Sequence, residues 1–349
     1  MRRLSIILAA ATMILLGHSA GHWRSDAGGP EEHKVKGWTR GKGWGPWGEG
    51  DEVGSLNGVT PESIRAALAS VKLGKVYDLG VNYDAESFKW PGHNPAVVIT
   101  YRGPEGERRQ GDVKDLIDPK INPAKIGWHS CALFISDNVG TQIDGLGHIT
   151  NGDDNRWYNG FKEAEWGGNF GIRKCDATTI PPIITRGVML DVAGFRKVDA
   201  LPSNYRITAE ELQDVAKAQN TLLKPGDTVL VRTGTLRYWG VNGKDKDKIG
   251  EHDTAGIDLG AAKWLVEQTG AIMVGSDTSG LEYVSAKGEP QAFIPVHKYL
   301  LNDQGVHIGE FHYLDELARD RAYEFCYIAT VNKIRGATAG FALRPIAVR

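Results

Sequence analysis

Asn138-Val139-Gly140-Thr141-Gln142-Ile143-Asp144-Gly145-Leu146-Gly147-His148 decides how the rest of the chain is read. Asn138, Gly140, Gln142 and Asp144 fall on alternate positions, which a β-strand turns to a single face. A Gly-Leu-Gly turn then separates Asp144 from His148. The run just before, Cys131-Ala132-Leu133-Phe134-Ile135, is apolar and reads as a buried strand. A carboxylate, two amides and an imidazole at the end of a buried strand are costly unless something satisfies them. A metal ion or a bound substrate is the natural candidate.

The spacing resembles a signature of the cyclase family of metal-dependent hydrolases, which includes bacterial kynurenine formamidase and isatin hydrolase. That signature is His-x-Gly-Thr-His-x-Asp-x-x-x-His. Gly140, Thr141, Asp144 and His148 fit it, while Asn138 and Gln142 stand where the family has two histidines. Those histidines and the aspartate are metal ligands in the family, so the resemblance implies a ligand role for Asp144. It also implies that His148 is the general acid–base, work that suits an imidazole whose ordinary pKa is about 6.5. Further along, Pro295-Val296-His297-Lys298-Tyr299-Leu300-Leu301 precedes Gly305-Val306-His307-Ile308-Gly309-Glu310. This resembles the segment with the family's remaining ligands, carried here by His297 and Glu310. Asp144, His297 and Glu310 then make a three-residue site for a divalent cation, with a position left open for water. His307 and His312 miss the ligand positions and are expected at the surface or behind the ligands.

Gln142 and Asn138 offer only amide oxygens, weaker donors to zinc than imidazole, which shifts preference towards oxygen-seeking ions. The expected cofactor is therefore manganese or zinc. Two readings stand for Gln142: a metal ligand, or a hydrogen-bonding partner of the substrate, the role expected of Asn138. Trp157, Tyr158 and Trp166 lie in a Gly- and Asn-rich stretch, residues 151–171, that reads as a pocket loop. They are candidate walls for a planar substrate, with packing of a lid as the alternative.

Composition narrows the class. The chain has 349 residues, 41% hydrophobic and 24% charged, in the range of globular proteins. A formal net charge of -2 gives no reason to expect nucleic acid or anionic lipid as a partner. Arg2 and Arg3, an apolar run from Leu4 to Leu16 and small residues near Ala20 read as an export signal over 1–20, with an uncleaved anchor as the alternative. The expected location is periplasmic or secreted, with no further membrane association. Residues 21–36 read as a linker or mobile arm, and 37–349 as one hydrolase domain. Cys131, Cys175 and Cys326 lack the short spacings of a disulfide or zinc framework, and Cys131 and Cys326 are expected to be buried thiols.

Around the motif, Trp38, Trp44 and the stretch Trp47 to Asn57 suggest an ordered loop, used for packing, a pocket wall or a subunit contact. Thr60-Pro61 opens a helix, Val76 to Val81 reads as a first core strand, Val97 to Arg102 as another, and Gly103 to Lys125 as a polar insertion. Strands are expected at 187–192, 228–233, 271–275 and 326–331. Between them, helices begin at the caps Thr208 and Asp258. Gly275 to Gly280 lacks the Gly-Lys-Ser/Thr ending of a phosphate loop. The pattern is α/β with a mixed, strand-rich core. The family resemblance, from Trp44 through Gly336-Ala337-Thr338 and Arg344-Pro345, implies a swivelling β/β/α single domain.

The function expected is a metal-dependent hydrolase that cleaves an aryl formamide or opens a cyclic amide or lactone, acting on a small molecule as a homo-oligomer. The alternative is an exported binding protein that keeps the fold without catalysis.

Overall fold

The computed structural model describes residues 47–288, 290 and 292–349. The export signal, the linker and Trp38 to Pro46 lie outside the described residues. Thirteen strands appear among them: β1 (Val76–Asp78), β2 (Val97–Arg102), β3 (Ser130–Phe134), β4 (Gln142–Asp144), β5 (Ile183–Asp191), β6 (Arg206–Ile207) and β7 (Thr228–Arg232). They continue with β8 (Gly256–Ile257), β9 (Met273–Ser276), β10 (His307–Glu310), β11 (Glu324–Ala329), β12 (Ala339–Gly340) and β13 (Ile346–Val348).

Nine strands form one curled mixed sheet in the order β1-β13-β11-β5-β7-β9-β10-β4-β12. Its centre, β5-β7-β9-β10, is parallel, and the flanks are antiparallel. Val188, Met189 and Leu190 on β5 and Val229, Leu230 and Val231 on β7 are buried, giving the continuous apolar runs of strands covered on both faces. Each such side chain contributes about 1.5–3 kcal/mol on burial.

The helices begin where the caps require. The Thr60 hydroxyl accepts from Ser63 N at 3.1 Å and Ser63 answers in a capping box, with Pro61 at the first helical position of Pro61–Ala69. The Thr208 hydroxyl accepts from Glu211 N and caps Ala209–Ala218, while the Glu211 carboxylate is drawn to Arg196 and Tyr205. Asp258 accepts from Ala261 N at 2.7 Å and starts Leu259–Lys263. Both Pro61–Ala69 and Ala209–Ala218 pack against β5. No helix among the described residues is long and apolar enough to cross a membrane.

Several expectations need correction. The first strand stops at Asp78, and the polar insertion contains the short helices Pro104–Gln110 and Lys114–Ile117. The Cys131 run does form a strand, but not a buried one: β3 pairs with β2 in a two-stranded ribbon outside the main sheet, and Cys131 is exposed. Its apolar side chains find no second layer, whereas Cys326, on β11 inside the sheet, is buried as expected.

Candidate metal and active site

β4 and β10 are antiparallel neighbours, and the register sets Gln142 opposite Glu310 and Asp144 opposite Ile308. With a side-chain period of two, Gln142, Asp144 and Glu310 share one face. Gln142 Nε2 donates to Glu310 Oε2 at 2.6 Å, and Asn138 Nδ2 donates to Asp144 Oδ1 at 2.8 Å. Asn138 does not reach that aspartate along a strand, as its alternate spacing suggested. The strand comprises only Gln142–Asp144, and Asn138 is brought round by a turn in which Gly140 adopts φ 70. A Cβ at Gly140 would sit 2.4 Å from the Tyr83 ring, so space and backbone both demand glycine.

His297 enters from another element. It ends the short helix Pro295–His297, which begins after Ile294 in the left-handed region at φ 39, a strained conformation for a β-branched residue. His297 Nε2 lies 3.4 Å from Glu310 Oε1 and 3.8 Å from Asp144 Oδ2. Its Nδ1 and its backbone N–H both bind the Glu282 carboxylate. A carboxylate on Nδ1 fixes the ring and aims Nε2 into the cluster, the arrangement found behind metal-bound histidines. Glu282 escaped the sequence reading, since Gly280-Leu281-Glu282 carries no local signature.

Ligand atoms of Asp144, His297 and Glu310 all lie within 4.8 Å of one another, and the three residues are buried. Asp144 Oδ2 and Gln142 Oε1 are buried with no hydrogen-bond partner. An orphaned carboxylate oxygen beside an imidazole nitrogen and a second carboxylate is costly as it stands, and this donor set fits a divalent cation. Burial opposes charge on His297, yet its hydrogen bonds to Glu282 and Glu310 raise its pKa to about 10. Burial and the nearby Asp144 push Glu310 up from the usual carboxylate range.

His148 follows the turn closed by its own N–H on Gly145 O at 3.0 Å, and its ring is half-buried. A second imidazole accompanies it. His93 Nδ1 lies 3.2 Å from Ser136 Oγ, and burial, followed by the charge of His148, pulls His93 below its ordinary value. His93 stands 51 positions from Asp144 by its number, outside any motif, and only the fold brings it within electrostatic reach of His148 and Asp144.

The remaining candidates contribute no ligand atom to the cluster. Trp157 and Tyr158 are fully buried members of the main core, and the Tyr158 hydroxyl donates to Asp51 Oδ2 at 2.7 Å. Their surfaces are consumed by packing, which corrects their expected place on a pocket wall. Trp166 packs edge-on against Phe161, with the Lys174 ammonium 5.2 Å from its ring. Of the two places expected for His307 and His312, the structure puts both behind the ligands: His307 Nδ1 lies 2.9 Å from Asp144 O, and His312 lies with Nδ1 3.1 Å from Glu310 O and Nε2 2.9 Å from the Tyr327 hydroxyl. Asp277, in the segment without phosphate-loop character, accepts from the backbone N–H groups of Thr233 and Gly234.

Comparison with known proteins gives these residues a context. The putative cyclase family matches residues 77–283. The crystal structure of a novel cyclase is 30% identical, with TM-score 0.74, and the match covers 88% of this chain and 99% of that one. An isatin hydrolase bound to the product analogue thioisatinate is 17% identical, with TM-score 0.55, covering 83% of this chain and 99% of that one. Isatin hydrolase A from Labrenzia aggregata, bound to benzyl benzoate, is 16% identical with TM-score 0.53, covering 82% and 97%. No curated relative matches the chain.

Proposed function

The chain belongs to the putative cyclase family, and on that premise we propose that it is a metal-dependent hydrolase that opens a cyclic amide or lactone or cleaves an aryl formamide. The observation that carries this reading is the buried convergence of Asp144 Oδ2, His297 Nε2 and Glu310 Oε1, with the aspartate oxygen left without a hydrogen-bond partner among the described residues. These three residues would hold the ion, manganese or zinc. The swivelling β/β/α arrangement of a single domain is part of the same reading.

A bound divalent cation supplies Lewis-acid polarisation of a carbonyl and a lowered pKa for water. The protein supplies the rest. Glu282 keeps His297 aimed through Nδ1, so that Nε2 offers its lone pair once deprotonated. His148 takes the proton from the attacking water and returns it to the leaving nitrogen or oxygen. Asp144 Oδ1 and Glu310 Oε2 accept from amide N–H groups of Asn138 and Gln142, and an N–H donor cannot ligate a cation. The free carboxylate oxygens therefore serve one ion, and Gln142 Oε1 remains an acceptor for a substrate N–H. The export signal over 1–20 would place this activity in the periplasm or outside the cell, which cell fractionation would check.

Elemental analysis of the purified protein, followed by chelation and re-addition of manganese or zinc against a panel of aryl formamides, cyclic amides and lactones, tests the proposal. One ion per chain and turnover that is lost and restored are expected. Turnover indifferent to chelation, or ligand binding without turnover in the loaded protein, would overturn it and favour the binding-protein alternative.

A further inference from the structure

We propose that the cleft between the helical stretch Leu259–Lys263, with its continuation Trp264–Gln268, and the segment 292–304 is a second small-molecule site. Its ligand is an organic acid that also carries an N–H or O–H donor. The cleft encloses about 470 Å³, within the roughly 300–1,000 Å³ of small-ligand pockets. Leu259, Pro295 and the Tyr299 ring give it apolar walls. Its polar groups divide into those engaged within the protein and those left over. The Tyr299 hydroxyl donates to Glu267 Oε1 at 2.7 Å, and Lys298 Nζ donates to the two Asp303 oxygens at 2.8 and 2.7 Å. Gln304 and Lys263 are left. Gln304 is 2% exposed, and its Oε1 has no hydrogen-bond partner among the described residues. A buried amide oxygen is costly until a donor reaches it. The Lys263 ammonium stands 5.8 Å from the centre of the Tyr299 ring, and among the described residues no carboxylate pairs with it.

The class of ligand follows from what these two groups lack. A carboxylate completes Lys263, an N–H or O–H completes Gln304, and an apolar body fills the space between the walls. The cleft is distinct from the metal cluster. Pro295, Lys298 and Tyr299 fall at i, i+3 and i+4, on one face of the helical run from Pro295 to Gln304. His297, two residues on from Pro295, leaves the other side, where its Nε2 meets Asp144 and Glu310. One turn of helix therefore separates the two sites. Opening a cyclic amide or lactone yields an amino or hydroxy acid, so on the hydrolase reading above the cleft takes acids of the product type. The binding itself does not rest on that reading.

Titration calorimetry of the purified protein, treated with chelator so that no metal captures a carboxylate, tests the assignment. The probes are 3- and 4-aminobenzoate, with benzoate as the acid that lacks a donor and aniline as the donor that lacks an acid. One site per chain is expected, with at least one aminobenzoate bound about 3- to 10-fold more tightly than benzoate. Gln304→Leu should bring the aminobenzoates to the affinity of benzoate. Lys263→Gln should weaken all three acids and leave aniline unchanged. If Gln304→Leu fails to fold, Lys263→Gln decides, because that position is exposed. Absence of saturable binding at millimolar concentration overturns the proposal. So do equal affinities for benzoate and both aminobenzoates, which would assign Gln304 Oε1 to an ordered water. Parent affinity for the acids in every variant that folds also overturns it, by placing them elsewhere on the protein. Turnover enters none of these measurements, so failure of the hydrolase reading and failure of this site are told apart.

Discussion

β3 and β4 are separated by one short turn, and they invert the ordinary rule of burial. Leu133 and Phe134 are apolar and exposed, while Gln142 and Asp144 are polar and buried. The apolar pair lies outside because its strand joined a two-stranded ribbon; the polar pair lies inside because its strand joined the nine-stranded sheet beside β10. Hydropathy alone would exchange them. The contrast teaches that a strand's own polarity does not decide its burial; the sheet it joins does.

The sharpest way to break the comparison is Asp144→Ala. If the polar strand is buried for the sake of an ion, this change should abolish metal retention and reduce turnover to background. Elemental analysis that finds the parent stoichiometry would remove Asp144 from the ligand set. His148→Ala comes next, with kcat expected to fall by about 10² to 10⁴ while the metal stays. Unchanged activity across neutral pH would exclude it as the proton carrier.

Glu282→Gln probes the support behind the ligands. Its carboxylate orients His297 through Nδ1, so metal affinity should weaken by about 10- to 100-fold, measured by titration calorimetry; equal affinity would leave Glu282 as a purely structural partner. The smallest effect expected is on pH. Protonated His297 stabilises the ion-free fold fully below its unfolded value of about 6.5, and this contribution is lost as pH rises through about 10. Metal loading runs the opposite way, because the ion must displace that proton, so apparent affinity should climb between pH 6 and 9. A flat metal profile would detach His297 from the ion.

Much was legible in the sequence by itself. The family resemblance carried by the stretch from Gly140 to His148 and by the segments around His297 and Glu310 implied the three residues that the fold brings together, Asp144, His297 and Glu310. Caps at Thr60, Thr208 and Asp258, and apolar runs such as that of β7, are local patterns whose physics acts within a few residues. What only the tertiary structure decided depends on partners distant in sequence. Glu282 and His93 have no local mark, and become relevant through where β9 and the loop before β2 happen to lie. Trp157 and Tyr158 are spent on the core because the segments around Asp51 and Gly305 close over Tyr158. The Cys131 run is as apolar as a core strand, and its own residues cannot specify which sheet it joins. A strand's side-chain alternation is encoded locally, but the layer that covers each face is supplied by the rest of the fold, or by another molecule.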